Sequence, residues 1–292
     1  MQTRLVLAAQ KLSNWLIPLA AVAMVFAWLY IAPPGILGKV DALGYAVCHQ
    51  LDSHSFHIAG QELPLCARCT GMYLGAVVGL VFQFFTAGRK GGMPPKRVIA
   101  PLVLMFLAFA IDGTNSYVSL MKLVSPGRLD FIPTLYEPNN TLRLFTGSGV
   151  GLAIAIALFP SFNQTLWRNW DARPAMDGLK PLAILTGIMV LLDLLILPQW
   201  DLMLYPVALI SAGGVLLLLT MIYQMVWIMV TKQENQFSAF RETWLPVFGG
   251  LTIALLHITA IVLVWFWLSH AWGGFPLPLG LNRRRVLSHL GI

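Results

Sequence analysis

Seven long apolar stretches run through the 292-residue chain and constrain its fold more than any other feature. Each has about the 20 mostly apolar residues that an α-helix needs to cross the hydrocarbon core of a membrane. They occupy residues 13–32, 65–87, 98–120, 141–160, 181–198, 204–230 and 245–268. A chain with several long apolar stretches is typical of helical membrane proteins, because a helix satisfies its own backbone hydrogen bonds in lipid. The sequence therefore predicts an all-α fold, a polytopic transmembrane helical bundle of about seven helices.

The composition supports a lipid bilayer as the solvent of this chain. Only 11% of its residues are charged and 58% are hydrophobic, whereas about a quarter of the residues of a soluble domain are charged. The net charge of +7 is spread over the connections between apolar stretches, which argues against nucleic acid as a partner. We expect a single membrane domain over 1–292, with the motifs in 40–155, additional transmembrane helices in 160–292, and other membrane subunits as possible partners.

The distribution of Lys and Arg predicts an orientation in the cell membrane. If the N-terminus is cytoplasmic, eleven basic residues of the connections lie on the inner side and six on the outer side. Short cytoplasmic connections carry an excess of basic residues, although the run Arg283 to Arg285 counts against this arrangement. We therefore predict a multi-pass protein with a cytoplasmic N-terminus and with the loop 33–64 outside.

All three cysteines of the chain, and three of its six histidines, lie between residues 48 and 69. Cys66 and Cys69 form a CxxC pair at the start of a predicted helix, a spacing that lets two thiolates meet one metal ion or each other. Cys48 would add a third sulfur, and His49 or His57 a fourth ligand. The pattern predicts a tetrahedral site for zinc or another soft-site divalent metal, with Cys48, His49, Cys66 and Cys69 as ligands.

The same spacing permits two other interpretations. A CxxC pair at a helix N-terminus has a lowered thiol pKa, because the helix dipole and the nearby Arg68 favour the thiolate. Cys48 could then exchange disulfides with Cys66 and Cys69, as in a membrane thiol or quinone-linked oxidoreductase, although such enzymes usually have a second cysteine pair. In the third interpretation the cysteines only pack, and the protein is a non-enzymatic subunit or a transporter.

Small residues follow the CxxC pair at a spacing of four, at Gly71, Gly75 and Gly79. Glycines on one face let two membrane helices approach closely. We expect this face to press the cysteine-bearing helix against a neighbouring helix.

Charged and polar residues interrupt two of the predicted spans. Asp112 lies inside 98–120, and Asn140 and Arg143 open the span 141–160. Unpaired charges within a span are costly, and such residues usually mark function. Asp112 and Arg143 are the natural pair. We predict that both face the protein interior, within reach of each other or of Asn115 and Asn140, and that both meet the cysteines at the outer membrane face. The pair is either structural or part of a polar intramembrane pocket, with Asp112, Asn140 and Arg143 as candidate catalytic residues. Asp193 has only apolar neighbours in the sequence, so we expect it outside this pocket.

These motifs together resemble a family of bacterial and archaeal membrane proteins that is known as a domain of unknown function. The matching positions are Cys48-His49-Gln50, Ser55-Phe56, Gly60, Leu63 through Gly75, Asp112-Gly113, and Asn139 through Gly147. The resemblance covers roughly residues 40 to 155, and the segment Cys66 to Gly71 is its most specific part. Family members often have arginine where this chain has His54. The resemblance implies a site in these segments and no particular reaction.

Overall fold

The computed structural model describes residues 2–32, 35–58, 60–124, 127, 129 and 131–269. Within these ranges the chain forms eight α-helices and four short strands. The helices are α1 (Gln2–Ile31), α2 (Ile36–Val47), α3 (Ala67–Ala87), α4 (Lys96–Val124), α5 (Asn140–Leu166), α6 (Leu179–Ile196), α7 (Asp201–Val230) and α8 (Trp244–Ser269). The strands are β1 (His57–Ile58), β2 (Gln61–Glu62), β3 (Lys90–Gly92) and β4 (Asp171–Pro174). The predicted all-α class is confirmed.

Six of the described helices, α3 to α8, are long and apolar enough to cross a membrane. They correspond to six of the seven apolar stretches. The first stretch lies in α1, where Trp15–Tyr30 is a shorter apolar segment of the part that the structure describes. A multi-pass helical membrane bundle is therefore the architecture of this chain.

Helices α3 and α5 pack closely against each other next to the cysteines. A Cβ atom at Gly71 would overlap the carbonyl oxygen of Leu144, and one at Gly147 would overlap the carbonyl oxygen of Arg68. Gly75 meets the Ser148 carbonyl in the same way. Side chains larger than hydrogen would separate the two helices, so the predicted role of the glycine face is confirmed. The close approach brings the first turns of α3 and α5 side by side.

A compact loop connects α2 to α3 and delivers Cys48 to the start of α3. Strands β1 and β2 pair antiparallel within it, and Leu63 N donates to Phe56 O at 2.8 Å. Phe56 and Leu63 are buried in the main hydrophobic core. Their burial fixes the loop against the ends of the helices. We call this side of the molecule, which contains Cys66, Asp112 and Asn140, the motif end of the bundle.

The opposite end is closed by a second small sheet. β3 and β4 pair in parallel, and Asn163 of α5 donates to the carbonyl oxygens of Gly88 and Lys90 at 3.0 and 2.9 Å. Both connections, between α3 and α4 and between α5 and α6, are thereby tied together away from the motif end.

Candidate metal centre and the polar residues around it

The three cysteines converge at the motif end of the bundle. Their sulfur atoms all lie within 4.8 Å of one another, and none of the three is in a disulfide. Cys66 is the N-cap of α3 and Cys48 the C-cap of α2. Cys69 lies three residues after Cys66, a spacing that places side chains on the same face of a helix. We refer to Cys48, Cys66 and Cys69 as the cysteine cluster; the prediction that Cys48 joins the other two is confirmed.

Gln50 fixes the loop that carries Cys48. Its Nε2 donates to Asp41 Oδ1 and to Pro64 O, each at 2.8 Å, and its side chain is buried. Its φ of +45° is an uncommon left-handed conformation for a residue other than glycine. The strained turn and the two hydrogen bonds join the end of α2 to the segment before Cys66.

Backbone donors and neighbouring thiols surround the sulfur atoms. Cys66 N donates to Cys48 Sγ at 3.2 Å, and Gln50 N approaches the same sulfur at 3.5 Å. Hydrogen bonds from the thiols of Cys48 and Cys69 lower the pKa of the Cys66 thiol well below its usual range. The hydrogen bond with Cys66 in turn raises the pKa of Cys48 to about 12. One thiol of the cluster therefore ionises easily. Ionisation of the other two thiols requires a positive charge, such as a metal cation, between the sulfur atoms.

The spacing of the sulfur atoms suits a soft divalent metal. With Zn–S bonds of about 2.3 Å, two sulfurs of a tetrahedral site lie about 3.8 Å apart. The observed spread of up to 4.8 Å exceeds this by about one ångström at most, which side-chain rotation can close. Three thiolates in one buried group are the ligand set that zinc and other soft metals prefer. The residues present fit such an ion.

The structure does not bring His49 into this group of ligand atoms. The ring of His49 is exposed, and its Nε2 lies 3.0 Å from His54 Nδ1. His57 Nε2 lies 2.9 Å from Asp52 Oδ1. Burial, followed by the positive charge of Arg143, lowers the pKa of His54 to about 4. His49 as the fourth ligand remains a prediction.

Asp112 pairs with Arg68 rather than with Arg143, which corrects the expected pairing. Arg68 Nε donates to Asp112 Oδ2 at 3.1 Å, and Nη2 of Arg68 contacts the same carboxylate. Tyr136 donates its hydroxyl to Asp112 Oδ1 at 2.9 Å. Arg68 belongs to the first turn of α3, and its guanidinium extends from there to the side chain of Asp112 on α4. The ion pair joins α3 to α4 at the level of the cysteine cluster.

Arg143 lies nearby with a different set of contacts. Its Nη1 donates to Asn140 Oδ1 at 2.8 Å, and Asn140 Nδ2 donates to Ser55 O at 3.2 Å. Only 4% of Arg143 is exposed, as predicted for a charged residue in a span. Its Nε is buried and has no hydrogen-bond partner among the described residues.

Asp193 has a partner that its sequence neighbourhood does not reveal. Ser148 of α5 donates its hydroxyl to Asp193 Oδ1 at 2.8 Å, in the interior of the bundle. The partner lies on another helix, 45 residues away in sequence. Asp193 thus contacts the same helix that carries Arg143, one to two turns further into the bundle.

The open cavity next to these residues is mostly apolar. It has a volume of about 380 Å³ and lies between α4 and residues 132–135. Asn115 and Thr114 are its polar lining residues. The other lining residues are one proline and aliphatic residues, among them Ile111, Val118 and Ile132. Asp112 and Arg143 do not line this cavity.

Sequence reasoning missed two residues that organise the site. Arg68 was considered only for its effect on the thiols, and Gln50 only as part of a motif. Both lie inside the conspicuous segments that contain the cysteines. Because Arg68 and Gln50 lie within those segments, a role in positioning the cysteines could have been predicted for them from the sequence. Tyr136 has no comparable signal, because it lies in an irregular connection.

Comparison with known proteins places the chain in a family. The family described as "Predicted membrane protein (DUF2085)" matches residues 48–157. An uncharacterized protein of Methanothermobacter thermautotrophicus is 32% identical over 110 residues, which make up 37% of this chain and 82% of the relative. The chain belongs to this family of predicted membrane proteins. An uncharacterized protein of Methanocaldococcus jannaschii is 27% identical over 124 residues, 42% of this chain and 69% of the relative. No solved structure matches the chain.

The DUF2085 match begins at Cys48 and runs into α5. It therefore includes the cysteine cluster, the Arg68–Asp112 ion pair and the Arg143–Asn140 contact. The resemblance to a membrane-protein family that the motifs predicted is confirmed.

Proposed function

We propose that this DUF2085 protein is an integral membrane protein that holds a soft divalent metal ion of the zinc class in the cysteine cluster. The observation that carries the proposal is the convergence of the only three cysteines of the chain, with sulfur atoms within 4.8 Å of one another. Inert packing does not require this arrangement, because nothing in packing favours three thiols in mutual contact. Three thiolates around a divalent ion have the ligand chemistry and spacing of known zinc sites.

The fourth ligand decides what the metal would do. If His49 turns from His54 to the cluster, the site is closed and stabilises the fold. If the fourth position is open, the metal supplies Lewis-acid chemistry to a bound water or substrate. In that case we propose Asp112, Asn140 and Arg143 as the polar residues beside the reacting group, with Arg143 and Asn140 binding and Asp112 positioning Arg68.

The residues of the chain itself hold the cluster in place. Gln50 ties the Cys48 loop to the segment before α3, and the Arg68–Asp112 pair ties α3 to α4. Partners around a metal ligand set its orientation and affinity nearly as much as the ligands do. These contacts favour a site that is formed before the metal binds.

We further propose that the motif end faces the outside of the cell, with the N-terminus cytoplasmic. This orientation is supported by the distribution of basic residues: eleven lie on the side of the N-terminus and six on the side of the motif end, and cytoplasmic connections carry an excess of Lys and Arg. Compartments outside the cytoplasm are oxidising in most bacteria, and thiols exposed there form disulfides unless a metal holds them.

Metal analysis of the protein purified in mild detergent tests the proposal. We expect about one metal equivalent per chain, and loss of the metal in the serine variants of Cys48, Cys66 and Cys69. His49→Ala is compared with His57→Ala, because both histidines belong to the same loop and both are candidate fourth ligands. If His49 is the ligand, His49→Ala should lower the metal content and His57→Ala should leave it unchanged. A wild-type protein without bound metal, prepared without chelator, would refute the proposal.

A second candidate function rests on the proximity of the Cys66 and Cys69 sulfur atoms, which lie within 4.8 Å of each other; the lowered pKa of Cys66 favours its thiolate. A membrane thiol oxidoreductase would use that thiolate together with Cys69. Formation of the Cys66–Cys69 disulfide would release two electrons and two protons, which reduce a quinone to a quinol. Metal-free protein that forms this disulfide on addition of a soluble quinone, with one quinol produced per disulfide, would support this function over the first.

A further inference from the structure

Arg143 is a buried cation without an ion-pair partner among the described residues. It is 4% exposed, and the hydrogen bond that it makes there goes to the neutral amide oxygen of Asn140. Its Nε–H is buried without an acceptor. Buried guanidinium groups normally have a counter-charge, because an uncompensated buried charge is strongly destabilising.

The carboxylate of Asp112 is already engaged by other side chains. Asp112 accepts hydrogen bonds from Arg68 and Tyr136, and Thr146 Oγ1 lies 3.4 Å from its Oδ2. The charge of Arg68 therefore neutralises Asp112. Among the described residues, no carboxylate lies within ion-pair distance of Arg143.

The backbone adds to the positive potential around Arg143. Asn139 is the N-cap of α5, so Asn140 and Arg143 belong to the first turn of this helix. The N–H groups and the dipole of a helix N-terminus favour an anion.

We propose that Arg143 and Asn140 bind an oxyanion of the phosphate class at the motif end of the bundle, beside the cysteine cluster. The planar guanidinium offers Nε and Nη donors in a fork that matches two oxygens of such a group. The anion supplies the missing acceptor for Nε and a direct ion-pair partner for the guanidinium. It deepens the polar-pocket part of the proposed function, and it does not depend on a metal being bound.

The first turn of a spanning helix lies at the level of lipid head groups, so the phosphate belongs either to a lipid or to a soluble molecule. Two probes separate these sources. One is inorganic phosphate, added to the protein in a non-ionic detergent and compared with chloride at equal ionic strength. The other is a nanodisc of phosphatidylcholine with or without phosphatidylglycerol, followed by native mass spectrometry of the lipid that stays bound.

We expect one of the two probes to bind the wild-type protein. Phosphate would raise the Tm in detergent, or one phosphatidylglycerol would stay bound per chain after release from the nanodisc. Arg143→Gln should weaken that binding at least tenfold, whereas Lys122→Gln, at the same end of the bundle, should not change it. Arg143→Lys keeps the charge but lacks the Nε–H, so we expect intermediate affinity; this variant replaces Arg143→Gln if the latter does not fold.

Absence of binding of both probes to the folded wild-type protein would overturn the proposal, as would unchanged affinity in Arg143→Gln or, in its place, Arg143→Lys. Metal content is measured on the same samples. Wild-type protein that holds metal but binds neither probe refutes only the oxyanion site. Protein that binds a probe without holding metal refutes only the metal site.

Discussion

The Arg68–Asp112 ion pair offers a quantitative test of how the motif end is held together. The substitution Asp112→Asn preserves the shape of the side chain and removes its charge. The Nε and Nη2 donors of Arg68 then lose their charged acceptor. A hydrogen bond to a charged group contributes about 1.5–3 kcal/mol to stability, whereas a hydrogen bond between neutral groups contributes about 1 kcal/mol. Removing one partner of a buried ion pair costs about 3–5 kcal/mol. Because the Arg68 side chain keeps 16% exposure, we expect the low end, about 3 kcal/mol.

Equilibrium unfolding in mixed detergent micelles measures this change in the free energy of unfolding. The exposed pair Arg173–Asp171 is a control with the same residue types, and Asp171→Asn should leave the free energy of unfolding unchanged within error, because solvent screens exposed ion pairs. The double variant with Arg68→Gln should be less destabilised than the sum of the single variants, because the two side chains are coupled. A loss below about 1 kcal/mol for Asp112→Asn would refute a structural role of the pair.

Three further predictions concern packing, orientation and the buried carboxyl group. Gly147→Ala should destabilise the protein by about 2 kcal/mol or more, because the added Cβ would overlap a backbone oxygen of α3. Gly213→Ala is the control: Gly213 has open space around it, so this substitution should be neutral or stabilising. Thermal unfolding of both variants in one detergent tests this prediction. A membrane-impermeant thiol reagent with a chelator should label the cysteine cluster in intact cells; labelling only after lysis would place the motif end inside. Ser148→Ala should destabilise the protein by about 1–3 kcal/mol, because Asp193 loses its described hydrogen-bond donor; chemical unfolding that shows no loss would contradict the pairing.

The local pattern of the sequence was enough to predict the long helices and the cysteine cluster, but not the short helix α2 (Ile36–Val47). An apolar stretch long enough to span a membrane predicts a helix, because the backbone has no hydrogen-bond partner in lipid other than the chain itself. Cys66 and Cys69 share one helix face by their spacing alone, and Cys48 is close to them in the chain, so loop closure costs little. The close packing of the glycine face of α3 could likewise be predicted from the sequence, because glycines at this spacing let any neighbouring helix approach closely.

Only the tertiary structure decided which side chains pair across helices. Such pairing depends on the rotation of each helix about its axis and on the relative depth of two antiparallel helices, and the sequence encodes neither locally. Asp112 therefore meets Arg68 rather than Arg143, and Asp193 meets Ser148. The turn of the His49 ring toward His54 has the same origin, because it depends on how the loop folds over α3. Only these pairings reveal that Arg143 has no ion-pair partner among the described residues and that its Nε has no acceptor.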